Sequence, residues 1–350
     1  MRVLVTSKET VKLDLIDRKI LFLLSKNARF SYSTISKYVN LSRESVKQRI
    51  LKMNSEKVIL GFRTVVDVSK LGYSSYHLFI QTNNPKSEKE QSFVNSLILD
   101  SDVNAILKYN GKYDFEIAYM LKNVKQIGDK INSLSNYDLK DYELSVILST
   151  LLSKSYPKCM MDFDDINLSR VGRDGSFHSE FSKHSSAVVK NSSCVEVDDL
   201  DISILRLLCD DSRISMIELS SKVNTSVDTV IYRIKKMIQF GLIVEFRPVI
   251  NYAALGYSVY CVFFRFKNFT QEKEAEFSAY VKEQKNFLWS CTSIGKYNNV
   301  SYIIVKDTFE FQDVLQSIRE KFCDIIDIYE MMLSFAEYKY TYFPHGLMKK

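Results

Sequence analysis

The chain of 350 residues is 46% hydrophobic and 26% charged, and its formal net charge is +6. This balance is typical of a folded globular protein with a hydrophobic core, and it excludes an intrinsically disordered chain. No apolar run approaches the ~20 residues of a membrane-spanning helix, and the apolar stretch at the start is too short for a signal peptide. The six cysteines form no C-x-x-C pair and the four histidines follow no metal-ligand spacing. We therefore expect free thiols, no metal, no cofactor and a cytoplasmic location.

The chain contains two copies of one module, offset by 184 residues. Residues 13–59 and 197–243 align without a gap and are identical at 18 of 47 positions. The same offset relates the Gly-Lys-Tyr segments that begin at Gly111 and Gly295. Because solenoid repeats have periods of only about 20–50 residues, this pattern indicates a whole module that was duplicated and fused.

The first fifty residues of each copy have the spacing of a helix-turn-helix. In the first copy, apolar residues recur at helical spacing over 16–24, and a second short helix follows that Ser31 or Ser33 can cap. Ser42 can cap a third helix that runs to about residue 56. We interpret residues 58–67 as a β-hairpin, the wing of a winged helix.

The remainder of each copy alternates strands and helices in the order β-α-β-β-α-β, which is the ferredoxin-like layout. The predicted elements of the first copy cover residues 73–82, 87–97, 103–109, 114–121, 124–134 and 142–152. Those of the second copy cover residues 257–266, 271–283, 287–293, 299–306, 309–321 and 325–335. The expected fold class is α+β, with two copies of a winged helix-turn-helix domain followed by a ferredoxin-like domain.

These elements divide the chain into five segments. We expect winged helix-turn-helix domains at 1–67 and 197–251 and ferredoxin-like domains at 68–157 and 252–350. Between the copies, residues 158–196 are polar and rich in serine, so we interpret them as a linker.

Several short segments are specific in combination. D-x-x-I-L-x-L-L begins at Asp17, L-S-x-x-x-V begins at Leu41, and a G-x-x-D turn covers 111–114. With these segments each copy resembles the Lrp/AsnC family of leucine-responsive, or feast/famine, transcription regulators, almost end to end. One departure is Lys57, which stands where the family and this chain's own Gly241 favour glycine; a left-handed backbone there would cost a lysine ~1 kcal/mol.

The resemblance implies partners and an assembly. Family members pair a domain that reads double-stranded DNA with an effector domain that binds a small molecule, often an amino acid. They dimerise through the effector sheets, and most carry one copy per chain. Two copies in one chain therefore imply an intramolecular pseudo-dimer, with further self-association through the effector domains and no membrane partner.

The third helix of each copy carries the candidate DNA contacts. In the first copy, Arg43 and Gln48 suit guanine and adenine edges, Lys47 and Lys52 suit phosphates, and Arg49 suits a phosphate or an internal ion pair. The full set of candidate DNA-contacting residues is Ser42, Arg43, Lys47, Gln48, Arg49, Lys52, Tyr232, Arg233 and Lys236.

The two copies differ in charge. Residues 13–59 hold ten Lys and Arg against four Asp and Glu, whereas residues 197–243 hold six against seven. Because phosphate neutralisation supplies most non-specific affinity for DNA, we expect the first copy to bind DNA far better. The second copy would read a degenerate half-site weakly or serve as a partner surface.

The resemblance also implies a small-molecule site near the G-x-x-D turn. A carboxylate there can hold an α-ammonium group, and glycine lets backbone approach closely, whereas the asparagine of the second copy loses the charge. Alternatively, these residues serve only a β-turn. The candidate ligand-binding residues are Gly111, Tyr113, Asp114, Gly295, Tyr297 and Asn298.

Two other functions compete with regulation. Siroheme decarboxylases share the two-domain architecture, but His77 stands alone in the first copy and Cys261 is its counterpart in the second. We find no catalytic motif and expect no enzymatic activity. The third alternative is an architectural protein that binds DNA without sequence preference.

Overall fold

The computed structural model describes residues 10–83, 87–160 and 194–347. Most of the predicted linker, residues 161–193, lies outside the described residues. The described chain divides into two compact units, and each unit combines corresponding parts of both copies. The first unit contains Thr10 and the described residues of 74–161 and 252–340, and the second contains those of 11–73, 162–251 and 341–350.

Apart from the predicted hairpin after the third helix, the order of elements agrees with the predicted order in both copies. The α-helices of the described ranges are α1 (Leu15–Lys26), α2 (Tyr32–Val39), α3 (Arg43–Ser55), α4 (Ser87–Leu99), α5 (Val124–Leu134), α6 (Asp199–Asp210), α7 (Met216–Lys222), α8 (Val227–Gln239), α9 (Gln271–Glu283) and α10 (Thr308–Lys321). The strands are β1 (Ile59–Val66), β2 (Ser74–Thr82), β3 (Val103–Asn110), β4 (Phe115–Leu121), β5 (Leu139–Ser153), β6 (Ile243–Ile250), β7 (Ser258–Phe266), β8 (Phe287–Ile294), β9 (Asn299–Val305) and β10 (Ile326–Tyr340).

Side-chain caps fix the starts of the helix-turn-helix elements. Asp14 caps α1 in a reciprocal capping box with Asp17, and Ser31 rather than Ser33 caps α2. Ser42 caps α3, its Oγ accepting a hydrogen bond from the Ser45 backbone N–H at 3.1 Å. A cap of this kind contributes about 1 kcal/mol because it satisfies a backbone donor that the helix leaves unpaired.

The turns after α3 and α8 have a left-handed backbone. Lys57 has a φ of 59° and its counterpart Gly241 a φ of 71°. The first copy therefore carries the backbone strain that its lysine predicts, and the second copy avoids it with glycine.

The predicted hairpin wing was wrong in its construction. Residues 59–66 form one uninterrupted strand, β1, which pairs antiparallel with β6 of the other copy so that Phe62 lies opposite Pro248. The segment has no Asn-Gly or Asp-Gly pair, which is the strongest short-range sequence signal for a hairpin turn. The backbone N–H and C=O groups of a single extended strand need hydrogen-bond partners from another segment, and the equivalent strand of the other copy supplies these partners.

Two arginines also join the helix-turn-helix copies reciprocally. Arg29 donates to the carbonyl oxygens of Ser212 and Ile214, the latter at 3.1 Å, and Arg213 donates to those of Ala28 and Phe30. Burial and the neighbouring positive charge of Arg213 lower the pKa of Arg29 to about 10. The two helix-turn-helix copies therefore form one structural body.

The ferredoxin-like halves join into a closed eight-stranded barrel. The strand order is β10-β3-β4-β2-β5-β8-β9-β7, in which each copy contributes four neighbouring strands. The closing strands are longer than predicted: β5 pairs with β2 and then with β8, and β10 pairs with β7 and then with β3. The predicted β-α-β-β-α-β order is confirmed in both copies. Each closing strand pairs with strands of both copies, and this pairing joins the two halves of the barrel.

The core of this unit has three layers. Outward-facing strand residues such as Leu78 and Ile117 pack beneath α4 and α5, and Val262 and Ile303 pack beneath α9 and α10. The third cluster lies on the opposite face of the strands, inside the barrel, and joins Phe79, Tyr109 and Tyr113 of the first copy to Cys261, Phe263, Cys291, Tyr297, Val300 and Met332 of the second. Burial of this shared apolar surface holds the copies together.

Glycines at the two Gly-Lys-Tyr turns allow the closing strands to approach closely. A Cβ on Gly111 would lie 2.8 Å from Cγ of Met332, and one on Gly295 would lie 2.5 Å from the Leu144 carbonyl oxygen. The nearest atom in the first clash belongs to a side chain, whereas in the second it belongs to backbone and is closer. Gly295 is therefore the more constrained of the two positions.

Gly295→Ala is expected to lower the free energy of unfolding by about 1–3 kcal/mol, because the added methyl group must displace the backbone of β5. Gly128→Ala is the matched control, since nothing lies within 4 Å of a Cβ at this position in α5. That control should stabilise the protein by about 0.5–1 kcal/mol. Urea unfolding of both variants measures the difference, and equal effects would contradict the proposed role of Gly295.

Two possible features are absent from the described parts of the chain. None of their helices has the length and apolar character needed to cross a membrane. Nor do their His, Cys, Asp and Glu side chains form a group of three or more that could hold a metal ion.

Candidate DNA interface and barrel interior

Helix α3 presents several polar side chains to solvent. Arg43 and Gln48 are exposed, and the Lys47 side chain is 45% exposed. Gln48 Nε2 donates to Glu44 Oε1 at 2.8 Å, and Lys47 Nζ lies 3.7 Å from the same oxygen. Lys52 lies 3.8 Å from Glu56. These contacts along one exposed helix are weak, so the donors remain free to exchange them for base edges and phosphates.

The arginine that α3 and α8 share at the 184-residue offset has an internal role. Arg49 Nη1 donates to Asp14 Oδ2 and Asp17 Oδ1, each at 2.7 Å, and these hydrogen bonds raise the pKa of Arg49. Arg233 repeats the arrangement in the second copy, with Asp198 at 2.7 Å as its nearer partner. Of the two roles that the sequence left open for Arg49, the structure supports the internal ion pair. We therefore remove Arg49 and Arg233 from the proposed DNA contacts.

Helix α8 presents a different surface. The positions of Arg43, Lys47 and Gln48 are taken here by Val227, Ile231 and Tyr232. Tyr232 is 64% exposed, and Lys236 Nζ lies 5.7 Å from the centroid of the Phe240 ring, which is itself 46% exposed. Apolar and aromatic groups thus replace the outward polar groups of α3.

The side chains of Asp114 and Asn298 bond to neighbouring strands. Asp114 Oδ2 accepts from the backbone N–H of Thr82 at 2.7 Å and from its hydroxyl at 2.8 Å. Asn298 Oδ1 accepts from the Phe266 N–H, and its Nδ2 donates to the Phe266 carbonyl, both at 2.9 Å. Both residues therefore close the end of a strand, which is the turn-residue alternative of the sequence analysis.

The Gly-Lys-Tyr turns of the two copies meet. Tyr113 and Tyr297 are buried, and Lys112 Nζ donates to Tyr297 Oη at 3.3 Å and to Glu330 Oε1 at 2.8 Å. Lys296 Nζ lies 3.9 Å from the same carboxylate oxygen. The six candidate ligand-binding residues thus lie in two turns whose lysines share one glutamate.

A buried carboxylate that the sequence analysis missed lies inside the barrel. Glu116 is fully buried, and its oxygens accept hydrogen bonds from three side chains. His77 Nδ1 lies 2.6 Å from Oε1, Tyr302 Oη lies 2.8 and 2.7 Å from the two oxygens, and Tyr109 Oη donates to Oε2. Trp289 stacks on His77 with ring centroids 5.7 Å apart. We call Glu116, His77, Tyr109 and Tyr302 the Glu116 cluster.

The Glu116 cluster has no symmetric counterpart. At the 184-residue offset, Glu116, His77 and Tyr109 correspond to Val300, Cys261 and Ser293, and Tyr302 corresponds to Ala118. One sequence signal could have revealed it: Glu116 is a charged residue in β4, where every residue is buried. Since a buried charge must be paired or hydrogen-bonded, such a glutamate predicts polar partners inside the barrel.

The cluster predicts an alkaline loss of stability. Burial, together with the negative charge of Glu116, raises the pKa of Tyr109 and Tyr302 well above the ordinary value of 10. The folded protein keeps these phenols neutral where the unfolded chain ionises, so their contribution is complete below about pH 10 and is lost as the pH rises further.

Urea unfolding between about pH 8 and 11 measures this loss. Tyr302→Phe should make the free energy of unfolding fall less steeply above pH 10, because one buried phenol is gone. Tyr142→Phe is the control, since Tyr142 is 48% exposed. An unchanged slope in Tyr302→Phe would contradict the assignment.

Comparison with known proteins agrees with the geometry of the second unit. Residues 13–54 match the family described as AsnC-type helix-turn-helix domain, and residues 197–244 match the winged helix-turn-helix DNA-binding family. An HTH-type transcriptional regulator of Pyrococcus furiosus is 46% identical over 65 residues, which are 19% of this chain and 44% of the relative. The leucine-responsive regulatory protein of Rhizobium meliloti is 40% identical over 65 residues, 19% of this chain and 42% of the relative. The aligned segments thus span less than half of either relative.

The overall fold also occurs in a solved structure. The crystal structure of the siroheme decarboxylase NirDL superposes with a TM-score of 0.58 and 12% identity, and covers 93% of this chain and 92% of that one. At this identity the likeness concerns the fold alone.

The two capped helix-turn-helix copies and their family matches define a protein of the helix-turn-helix DNA-binding class. The first copy carries an AsnC-type helix-turn-helix domain, the chain is similar to Lrp/AsnC transcription regulators, and the two matches are consistent with a tandem duplicated form.

Proposed function

We propose that the chain is a sequence-specific, DNA-binding transcription regulator in which the first helix-turn-helix copy supplies most of the DNA contact. The main support for this proposal is the exposed face of α3. Its polar residues after the cap Ser42 are Arg43, Lys47, Gln48 and Lys52. An arginine and an amide on such a helix can read guanine and adenine edges, while lysines bind phosphates. In the second copy only Tyr232 and Lys236 remain of the candidate contacts.

The barrel supports the regulatory part of the proposal. Because β5 and β10 each pair with both copies, the two effector domains form a permanent intramolecular pair. We place effector binding at the paired Gly-Lys-Tyr turns, around Gly111, Tyr113, Gly295 and Tyr297. There Lys112 is bonded to Glu330 and Tyr297, but its side chain is 31% exposed, so it can exchange these contacts for an anionic group of the effector. Thermal unfolding with each amino acid in turn tests this assignment, and a shift that Lys112→Ala abolishes would support it.

Selection of genomic fragments with the full-length protein tests the DNA-binding proposal. Recovered sites are footprinted across a salt series, and we expect a protected, sequence-specific site with one strong half. Binding that weakens with salt but shows no sequence preference would favour the architectural alternative instead.

A tetrapyrrole decarboxylase remains the second candidate function, because the fold matches NirDL along nearly the whole chain and the Glu116 cluster holds a carboxylate, an imidazole and two phenols. Titration with an iron porphyrin that carries carboxylates tests it through the absorption spectrum. A saturable spectral shift that His77→Ala removes would favour this function, and an unchanged spectrum would exclude it.

A further inference from the structure

Helix α8 keeps two charges of α3 but not their neighbours along the helix. In α3, Glu44 contacts Lys47 and Gln48, and Lys52 contacts Glu56. The charges persist in the second copy as Asp228 and Lys236, which differ from Glu44 and Lys52 by the 184-residue offset. The neighbours are replaced by apolar or aromatic residues: Lys47, Gln48 and Glu56 correspond to Ile231, Tyr232 and Phe240.

The replaced positions form an exposed surface. Tyr232 is 64% exposed, Phe240 is 46% exposed, and Asp228 is exposed. Residues four apart lie on one face of a helix, so Asp228, Tyr232 and Lys236 form a single stripe. Aromatic side chains are enriched at protein interfaces, whereas contacts to DNA phosphates need cations that this stripe largely lacks.

The spacing of the charges makes the stripe complementary to a second copy of itself. Asp228 precedes Tyr232 by four residues and Lys236 follows it by four. When two such helices lie antiparallel about a two-fold axis through Tyr232, the aspartate of each helix faces the lysine of the other. The surface is thus complementary to itself, as a two-fold interface requires.

We propose that two molecules of this chain associate through α8, with Tyr232 of each at the axis and reciprocal Asp228–Lys236 ion pairs on either side. The inference rests on the proposed function, in which α3 supplies most of the DNA contact and α8 contributes little to it. Because the contact is one helix pair, its area is small, and the association belongs to the weak class of interfaces. Each pair of molecules would present two α3 helices to DNA.

Charge exchange tests the proposal in the full-length protein without DNA. Sedimentation equilibrium up to about 100 μM gives the association constant of a weak pair. Asp228→Lys places two lysines face to face and Lys236→Asp places two aspartates, so each should weaken association at least ~10-fold. The double variant restores opposite charges and should recover the original constant. Tyr232→Ser, which keeps both charges, should also weaken association.

The first copy supplies matched controls. Glu44→Lys, Lys52→Asp and Gln48→Ser change the equivalent residues of α3 and should leave the association constant unchanged. A monomer at every concentration, unaltered association in the α8 variants, or a double variant no better than the single ones would overturn the proposal. DNA binding is measured separately, in the unmodified protein and in the α8 variants. If the unmodified protein shows no sequence-specific binding, the proposed function fails, whatever the association measurements show.

Discussion

Replacing Glu116 with alanine is expected to lower the free energy of unfolding by about 3–5 kcal/mol, because the variant opens a cavity in the barrel and leaves several buried donors unsatisfied. The variant leaves the phenols of Tyr109 and Tyr302 and the Nδ1–H of His77 without their acceptor inside the barrel. Each unsatisfied buried donor costs about 1–3 kcal/mol. Because Tyr302 belongs to the second copy, the loss weakens the contact between the copies. Urea unfolding followed by circular dichroism measures it.

Val300→Ala is the matched control, since Val300 occupies the position of Glu116 in the second copy and is equally buried. This control loses volume but no hydrogen bond, so its effect should be smaller by at least ~2 kcal/mol. Glu116→Gln, which keeps one carbonyl acceptor, should fall between the two. Equal destabilisation in Glu116→Ala and Val300→Ala would show that the hydrogen bonds of the cluster contribute nothing.

The double variant Arg43→Ala/Lys47→Ala is expected to weaken specific DNA binding by about 10²-fold. A bidentate arginine contributes about 1–3 kcal/mol of base discrimination, and each phosphate-binding lysine adds salt-dependent affinity. Loss of Arg43 should relax the base preference at one position of the site. Loss of Lys47 should weaken all sequences alike and reduce the slope of log affinity against log salt by about 1.

The control is Val227→Ala/Ile231→Ala, which alters the equivalent positions of α8. We expect this variant to retain affinity within about threefold, because it removes no donor and no cation. Gel shifts at several salt concentrations compare the two variants on one selected site. Similar losses from both would contradict the asymmetry between the copies.

Local structure was predictable from local sequence. The predicted bounds of α5 and α9 agree with the structure, and the cap at Ser42 was identified from its position before an apolar stripe. The reason is that periodicity and capping depend on residues within one or two turns of each other. The left-handed backbone at Lys57 followed from the glycine at its counterpart.

Pairing between distant strands was not predictable in this way. The alternation along β1 indicates a strand, but nothing in it says that β6, nearly two hundred residues away, is the partner. The contacts of Glu116 with His77 and Tyr302 likewise depend on barrel closure, which no short segment encodes. For the DNA-contacting face, the residue types were readable, but the internal role of Arg49 required the position of Asp14.

Fusion of the copies has a consequence for how the barrel interior can diverge. In an assembly of two identical chains, every substitution appears twice, so a glutamate at position 116 would bring a second glutamate into the place of Val300. A tyrosine at position 302 would likewise appear at the place of Ala118, in the same closed interior. In a single chain each change is made once, and a lone carboxylate can acquire donors from the opposite half. The Glu116 cluster can therefore arise between two covalently joined copies, but it cannot arise in a symmetric dimer of identical chains.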